Sequence, residues 1–366
     1  MSTSATSPQV GALSEQLKHM EDNLRTLQRV TQTPYPIGQT PKQVVWTLNK
    51  AKLYHYVPVV PPEQRHPIPL LLVFALINRS TILDLRPGGS FVEHMLKQGF
   101  DVYLLDWGTP GPEDKSLTFD DYVLDYMARA VRKLKSVSGS EEFSLLGWCI
   151  GAILTTMYAA LRPEGLRNLL LLTAPLDFTD PACGGFTRWA NDEYFDVEKV
   201  LATFGNMPGE MLDYGAKALK PVENYVGNYV RLWDNLDDPK IVESWHAMNT
   251  WVTDLTPIAG GAYRQLILDL YRDNKLMKGA MMLRGERVDL GNIRADVLNF
   301  IATEDHIVPP GQTEGVMAKI GSANKTLLRI PGGHIGMMAG SGAVKRTWPQ
   351  IEAWLAPRSA VERMKE

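Results

Sequence analysis

One of the two cysteines lies where it could act as a nucleophile. Apolar residues 143–146 predict a short buried strand and residues 150–161 predict a helix that ends before Pro163, so Cys149 falls on the turn between them. The start of a helix favours thiolate over thiol, because the helix presents its positive end there. An inert buried thiol is the alternative interpretation, since free cysteines are commonly core residues.

The glycines around Cys149 strengthen the catalytic interpretation. Gly147 and Gly151 stand two residues before and two residues after the cysteine. A strained turn at which a strand and a helix approach closely requires glycine at these places. The spacing therefore predicts a nucleophile elbow in which sulfur replaces the more common serine oxygen.

Two later strand ends supply a base and an acid. His334 follows the predicted strand 327–330, and Asp305 follows the predicted strand 297–303. After a nucleophile elbow, the acid and then the histidine follow in chain order at later strand ends, so Asp305 fits the orienting acid and His334 the base. His306 is a rival base beside Asp305, although neighbouring residues on an extended turn point in different directions. It could instead line the pocket.

A cysteine nucleophile favours one kind of chemistry. A thiolate paired with histidine attacks carbonyl carbons and forms a thioester acyl-enzyme. When the donor is itself a thioester, the exchange is nearly isoenergetic, and the acyl group stays activated for attack by an alcohol. Acyl transfer is therefore favoured over hydrolysis. One alternative is a cysteine-nucleophile hydrolase, such as a thioesterase or lactonase. The other is a non-enzymatic scaffold, which is disfavoured because the cysteine, the aspartate and the histidine all occur in the expected chain order.

The elements that must position these residues alternate between strand and helix. Strand candidates are residues 44–48, 52–57, 70–77, 102–107, 143–147, 169–174, 297–303 and 327–330. Helix candidates are residues 91–98, 119–137, 150–161 and 351–355. This alternation predicts an α/β fold, with a mostly parallel sheet, helices on both faces and an antiparallel hairpin at one edge. Backbone N–H groups of Ile150 and near Ala75, at the end of its strand, should form an oxyanion hole.

Residues 176–292 break the alternation of strand and helix. They are rich in Trp, Tyr, Phe and Met and predict an inserted, mostly helical cap. The predicted organisation is an N-terminal helix and linker (1–40), a first part of the core with the elbow (41–175), the cap (176–292) and a second part of the core with Asp305 and His334 (293–366).

Near the N-terminus, apolar residues recur at alternating spacings of three and four, which predicts a helix with one apolar stripe. The stripe consists of Val10, Leu13, Leu17, Met20, Leu24 and Leu27. Two interpretations stay open: the helix lies on its own domain, or it is a docking helix for a partner.

Composition excludes several classes of protein. The 366 residues carry a formal net charge of -3 with both signs interspersed, which gives no electrostatic case for binding nucleic acid. Apolar runs such as 69–77 are too short to span a bilayer. Residues 1–9 show no signal peptide, so we expect a cytoplasmic protein. Neither cysteine belongs to a Cys/His cluster, so we expect no metal and no cofactor.

Longer motifs make the chain resemble the polyhydroxyalkanoate synthases, which polymerise hydroxyacyl-CoA into polyester. The resemblance covers about residues 38–357. Its motifs are Thr40-Pro41-Lys42, Ala75-Leu76-Ile77-Asn78, Ile82-Leu83-Asp84-Leu85, Leu104-Leu105-Asp106-Trp107-Gly108, the elbow 147–151, Asn274-Lys275-Leu276, Val288-Asp289-Leu290, Asp305-His306 and Gly332-Gly333-His334-Ile335-Gly336. It implies an α/β-hydrolase fold whose catalytic residues are Cys149, Asp305 and His334.

The resemblance implies more about substrate and partners. The sequence departs from the family pattern at Trp148 and Ala152, which flank the elbow without supplying reacting atoms. Asn78, Trp148 and His306 are candidate pocket residues. The long N-terminal domain of single-subunit synthases is not expected in this chain. In this respect the chain resembles the two-subunit kinds (classes III and IV). Those kinds imply a second small subunit, a homo- or hetero-oligomer, short-chain substrates such as 3-hydroxybutyryl-CoA and attachment to polyester granules. Asp305 either orients His334 or activates the incoming hydroxyl.

Overall fold

The computed structural model describes residues 8–179, 184–191, 193 and 195–360. Ten strands are found among these residues: β1 (Lys42–Leu48), β2 (Ala51–Tyr56), β3 (Leu70–Val73), β4 (Val102–Asp106), β5 (Phe143–Trp148), β6 (Leu166–Leu172), β7 (Met282–Leu283), β8 (Glu286–Arg287), β9 (Asp296–Ala302) and β10 (Lys325–Ile330). Eight of them form one sheet in the order β1-β2-β4-β3-β5-β6-β9-β10, and β7 pairs with β8 in a small separate hairpin.

Helices lie between most strands of the sheet. The α-helices are α1 (Pro8–Gln32), α2 (Phe91–Lys97), α3 (Ala128–Ser138), α4 (Ile150–Leu161), α5 (Gly185–Ala190), α6 (Val197–Phe204), α7 (Gly209–Ala218), α8 (Asn228–Trp233), α9 (Pro239–Thr253), α10 (Gly260–Gln265), α11 (Gly311–Glu314) and α12 (Trp348–Ser359). Short π-helical segments cover Asp121–Met127, Glu223–Gly227, Leu266–Arg272 and Ala343–Thr347. Short 3-10 segments cover Pro62–Gln64, Ser80–Leu83, Pro112–Asp114, Leu290–Asn292 and Gly315–Ala318.

The sheet is mostly parallel, as predicted. Strand β2 is antiparallel to β1 and to β4, whereas every pair from β4 across to β10 is parallel. Asn49 makes the tight turn of the hairpin with a φ of 50°, a conformation that asparagine tolerates better than most residues. The predicted α/β fold with an antiparallel hairpin at one edge is confirmed.

The apolar runs of the central strands reflect burial on both faces. Every residue of β3, β5 and β9 is buried, because helices cover both sides of a parallel sheet and leave no face for polar side chains. The helix α4, which follows the elbow, is buried at nearly every position as well. The elbow is therefore held by the most densely covered part of the molecule.

Strand β3 ends at Val73, earlier than the end predicted at residue 77. The carbonyl of Phe74 accepts a hydrogen bond from the indole N–H of Trp107 at 3.0 Å instead of pairing with a strand. A few residues later, Asn78 has a φ of 59°, which no strand allows. The stretch 74–79 is therefore a loop at the carboxyl end of β3, next to the elbow.

The helices α5 to α10 lie between β6 and β9, in the interval where the sequence predicts a cap. Helix α9 contacts the loop at the end of β3, since the Trp251 indole N–H donates to the carbonyl of Arg79 at 2.7 Å. The domain boundaries given above are not tested by these contacts and stay predictions.

The apolar stripe of the N-terminal helix is covered at one end and exposed at the other, and its role in docking a partner stays a prediction. Towards its C-terminal end, Leu27 and Val30 pack on the cap, in a small cluster formed with Leu232, Leu236, Val242 and Trp245. Further towards the N-terminus, Leu13, Leu17, Met20 and Leu24 are 48–57% exposed. The helix therefore lies on its own chain at one end and leaves the other end of the stripe uncovered.

Candidate active site

Cys149 occupies a strained turn between β5 and α4. Its φ of 58° and ψ of −126° lie in a region that residues with a side chain seldom adopt. A Cβ atom on Gly147 would overlap Thr155 Oγ1, and one on Gly151 would overlap the carbonyl oxygen of Val73. Both glycines are therefore required, as expected for a nucleophile elbow.

His334 and Asp305 form a buried pair at the ends of β10 and β9. The Nδ1–H of His334 donates to Oδ2 of Asp305 at 2.7 Å, and both residues are buried. The other oxygen of Asp305, Oδ1, accepts hydrogen bonds from the backbone N–H groups of Ile307 at 2.9 Å and Val308 at 2.8 Å. These bonds fix the carboxylate and leave the Nε2 side of the imidazole to face the nucleophile.

The electrostatics of the site favour a protonated histidine next to the cysteine. Burial on its own would lower the pKa of His334. The negative charges of Asp305 and Cys149, together with the hydrogen bond between His334 and Asp305, outweigh burial and raise that pKa to about 10. The structure thus brings together Cys149, His334 and Asp305, whose catalytic roles stay predictions.

The two predicted oxyanion-hole donors lie on adjoining elements. Ile150 is the first residue of α4, and Ala75 lies on the loop just beyond the end of β3. The backbone N–H groups of both residues have no acceptor within the described part of the chain. A Cβ atom added to Gly151 would overlap the carbonyl oxygens of Val73 and Phe74, so the start of α4 lies close to the beginning of this loop. Both N–H groups therefore meet the first requirement for binding an oxyanion.

The three predicted pocket residues differ in what they contact. Trp148 is fully buried, its ring centroid lies 6.1 Å from that of His334, and its indole N–H has no partner among the described residues. His306 has a lowered pKa, first because of burial and then because of the positive charge of Lys220. Asn78 lies on the loop beyond β3.

The assignment of His306 as the base is not supported by its contacts. The Asp305 carboxylate bonds to His334 and to two backbone N–H groups, and Nδ1 of His306 has no partner among the described residues. An imidazole without an orienting acid lacks the arrangement that a general base needs.

Two cap residues reach the site and were missed from the sequence. Tyr271 packs on Phe178 with ring centroids 4.3 Å apart, and burial together with the nearby charge of Cys149 raises its pKa. Trp251 is buried with its ring centroid 6.2 Å from that of Phe74. Both lie in an interval that the sequence identified only as aromatic, so no local signal could separate them from ordinary core residues.

One motif that the sequence singled out joins the two ends of the cap. The side chain of Asn274 accepts a hydrogen bond from the N–H of Phe178 at 3.2 Å and donates to Asp177 Oδ1 at 3.2 Å and Thr179 Oγ1 at 3.0 Å. Its φ of 49° lets the chain turn at the same point. Asn274 therefore ties the chain entering the cap to the chain leaving it.

Neither a metal cluster nor a membrane span is found within residues 8–179, 184–191, 193 and 195–360. No group of three or more His, Cys, Asp or Glu side chains in these ranges could hold a metal ion. None of the helices there is long and apolar enough to cross a bilayer.

Solved structures with a similar fold include two lipases. A monoacylglycerol lipase from Paleococcus ferrophilus is 18% identical, with a TM-score of 0.52, over 81% of this chain and 96% of the lipase. A soluble variant of monoglyceride lipase from Saccharomyces cerevisiae is 13% identical, with a TM-score of 0.58, over 91% of this chain and 100% of the lipase. Residues 80–341 also match a family model described as the alpha/beta hydrolase fold. Fold and elbow together define an α/β-hydrolase.

Sequence relatives narrow the class further. Residues 9–95 match a model described as the N-terminus of poly-beta-hydroxybutyrate polymerase (PhaC). A protein from Haloferax mediterranei named poly(3-hydroxyalkanoate) polymerase subunit PhaC is 38% identical, over 96% of this chain and 70% of the relative. The protein of the same name from Allochromatium vinosum is also 38% identical, over 88% of this chain and 90% of the relative. The chain belongs to the poly(3-hydroxyalkanoate) polymerase subunit PhaC family, which confirms the resemblance found in the motifs.

Proposed function

We propose that this chain is the catalytic subunit of a poly(3-hydroxyalkanoate) polymerase. It would transfer short-chain (R)-3-hydroxyacyl groups, such as 3-hydroxybutyryl, from CoA to a growing polyester and release CoA. One observation carries the proposal: Cys149 stands on a strained elbow, close enough to the buried His334–Asp305 pair for its negative charge to raise the pKa of His334. Family membership supports the choice of substrate class.

In the first step, Cys149 accepts the acyl group. Its thiolate attacks the carbonyl carbon of the hydroxyacyl-CoA thioester, and the N–H groups of Ile150 and Ala75 bind the oxyanion that forms. The bond between the carbonyl carbon and the CoA sulfur then breaks, and the CoA sulfur takes the proton of the His334 imidazolium. The raised pKa of His334 keeps that proton available for the leaving thiol.

In the second step, an alcohol accepts the acyl group. The hydroxyl of the incoming hydroxyacyl group attacks the Cys149 thioester, and its proton passes to neutral His334. The bond between the carbonyl carbon and Sγ breaks, an ester forms, and the thiolate–imidazolium pair is restored. Both oxygens of Asp305 are engaged, one by His334 and one by backbone N–H groups, so we assign Asp305 the role of orienting His334.

The cellular setting follows from the same proposal. The enzyme would work in the cytoplasm at the surface of polyester granules, without a cofactor, since CoA enters and leaves as part of substrate and product. A second small subunit would dock on the exposed stripe of α1, where Leu13, Leu17, Met20 and Leu24 recur at heptad spacing. We expect a homo- or hetero-oligomer and low activity of the chain alone.

The test measures both products of the reaction. The protein is incubated with 3-hydroxybutyryl-CoA while CoA release is followed, and the acyl group is recovered as polymer or as free acid. Insoluble polymer is the expected product, and Cys149→Ala is the control that should release no CoA. Free 3-hydroxybutyrate in place of polymer would identify a thioesterase and overturn the proposed transferase.

A further inference from the structure

The loop 74–79, which carries the proposed oxyanion donor Ala75, is anchored to the core at its beginning. The indole N–H of Trp107, a residue that follows β4, donates to the carbonyl of Phe74 at 3.0 Å. The loop then turns at Asn78, whose φ of 59° lies in the left-handed region that asparagine tolerates better than most residues.

At its other end, the loop is anchored to the cap and not to the sheet. The indole N–H of Trp251, on α9, donates to the carbonyl of Arg79 at 2.7 Å. The guanidinium of Arg79 pairs with Asp254, which follows α9, at 3.2 Å. The ring of Trp251 also faces Phe74, since their centroids are 6.2 Å apart. One helix of the cap thus touches the loop at both of its ends.

We propose that Trp251 is a positioning residue for the oxyanion hole: its indole N–H fixes the loop 74–79 so that the N–H of Ala75 points at the thioester oxygen. This inference rests on the proposed function. If Trp251 has this role, the oxyanion hole is complete only while α9 lies on the loop. An opened cap would then leave the site with the N–H of Ile150 but without a correctly placed N–H of Ala75. Acyl transfer would then be confined to the closed state, in which the thioester is shielded from water.

A matched pair of tryptophans on α9 allows a sharp test. Trp251→Phe keeps an aromatic ring of smaller size and removes the indole N–H that binds the carbonyl of Arg79. Trp245→Phe makes the same change at an indole N–H that has no partner among the described residues. The first-turnover release of CoA from 3-hydroxybutyryl-CoA should fall at least about tenfold in Trp251→Phe, because small misplacements of a catalytic group are costly. It should be unchanged in Trp245→Phe.

A second readout separates positioning from general disruption. Alkylation of Cys149 by iodoacetamide, followed by peptide mass spectrometry, needs the thiolate but no oxyanion hole. Trp251→Phe should therefore be alkylated at the parent rate while its acylation is slow. A variant acylated at the parent rate would overturn the proposal, as would one in which acylation and alkylation fall by the same factor, since that pattern marks a purely structural role.

Two further variants cover the cases in which Trp251→Phe does not fold or the proposed function itself fails. If Trp251→Phe does not fold, Asp254→Asn tests the other contact between α9 and the loop. It should slow acylation about two- to fivefold, the scale of an exposed ion pair, without changing alkylation. Parent-like acylation of Asp254→Asn would then overturn the proposal. Cys149→Ala separates failure of the proposed function from failure of this inference. If this variant still releases CoA, Cys149 is not the nucleophile, whatever the results for the tryptophan variants.

Discussion

The sheet and the cap differ in how completely they cover their apolar residues. Every side chain of β5 and β9 is buried. By contrast, the cap segment 222–233, which ends with α8, carries six exposed apolar residues at helical spacing. Each of them is 41–77% exposed. These are Val222, Tyr225, Val226, Tyr229, Val230 and Trp233. These central strands are therefore fully covered, whereas this segment of the cap leaves apolar side chains exposed to solvent.

The same difference extends to the site. Cys149, Asp305 and His334 sit at strand ends and are fixed by backbone geometry and by hydrogen bonds within the core. Trp251 and Tyr271 come from the cap: Trp251 donates to the backbone carbonyl of Arg79, and Tyr271 packs on Phe178. Changes at the strand ends should therefore abolish the reaction, and changes in the cap should slow it.

Replacing the nucleophile should have the largest effect. Cys149→Ala should lower CoA release by at least about three orders of magnitude, because no other group can carry the acyl intermediate. Its thermal unfolding should stay close to that of the parent, since the elbow geometry resides in the glycines. The control is Cys183→Ala, at a position outside the described residues, which should keep at least about a tenth of the activity. Loss of activity in Cys183→Ala alone would contradict the assignment.

Replacing the orienting acid should also act on the first step. Asp305→Asn should slow acylation of Cys149 by about two to four orders of magnitude, since an amide holds the imidazole in the wrong tautomer. Single-turnover CoA release measures this step. A variant that acylates at the parent rate but accumulates labelled acyl-enzyme would instead show that Asp305 activates the incoming hydroxyl.

The charged pair should leave a signature in the pH dependence of stability. A histidine whose pKa is raised on folding contributes stability that is complete below its ordinary pKa of 6.5 and is lost as pH rises through about 10. The parent should therefore exceed Asp305→Asn in stability most clearly near pH 6, and the gap should shrink towards pH 10. Denaturant unfolding of both proteins across this range measures the gap. A gap that widens with pH would contradict the raised pKa.

The strand ends could be predicted from the sequence because their signals are local. Cys149 follows a run of apolar residues and lies between glycines, and His334 and Asp305 each follow a strand-sized apolar run. The end of β3 was predicted too late, because the pattern of apolar residues does not reveal that the Phe74 carbonyl bonds to an indole. The cap contacts could not be predicted at all: Trp251 and Arg79 are 172 positions apart, and neither stands in a motif.

The two halves of α1 should respond differently to the same substitution. Val30→Asp should destabilise the protein by about 3 kcal/mol or more, because it buries an unpaired charge in the cluster on the cap. Leu17→Asp plus Leu24→Asp should change the free energy of unfolding by less than about 1 kcal/mol, because both residues are exposed. Denaturant melts compare the two variants directly.

The exposed half of α1 should matter only when the proposed second subunit is present. Leu17→Asp plus Leu24→Asp should weaken co-purification with that subunit and reduce the activity it confers. The control is Ala12→Asp plus Lys18→Gln, which changes the net charge by the same amount on the other side of the helix. This control should leave both co-purification and activity unchanged. Equal binding by both double variants would place the partner elsewhere.

The central claim is that the acyl group passes through a thioester on Cys149. The protein is mixed with radiolabelled 3-hydroxybutyryl-CoA, quenched in acid within the first turnover and digested, and the label is located by peptide mass spectrometry. Label is expected on the peptide that contains Cys149, and neutral hydroxylamine should release it, as it releases a thioester. Turnover that proceeds at the normal rate with no label on Cys149, or with label on Cys183, would contradict this claim.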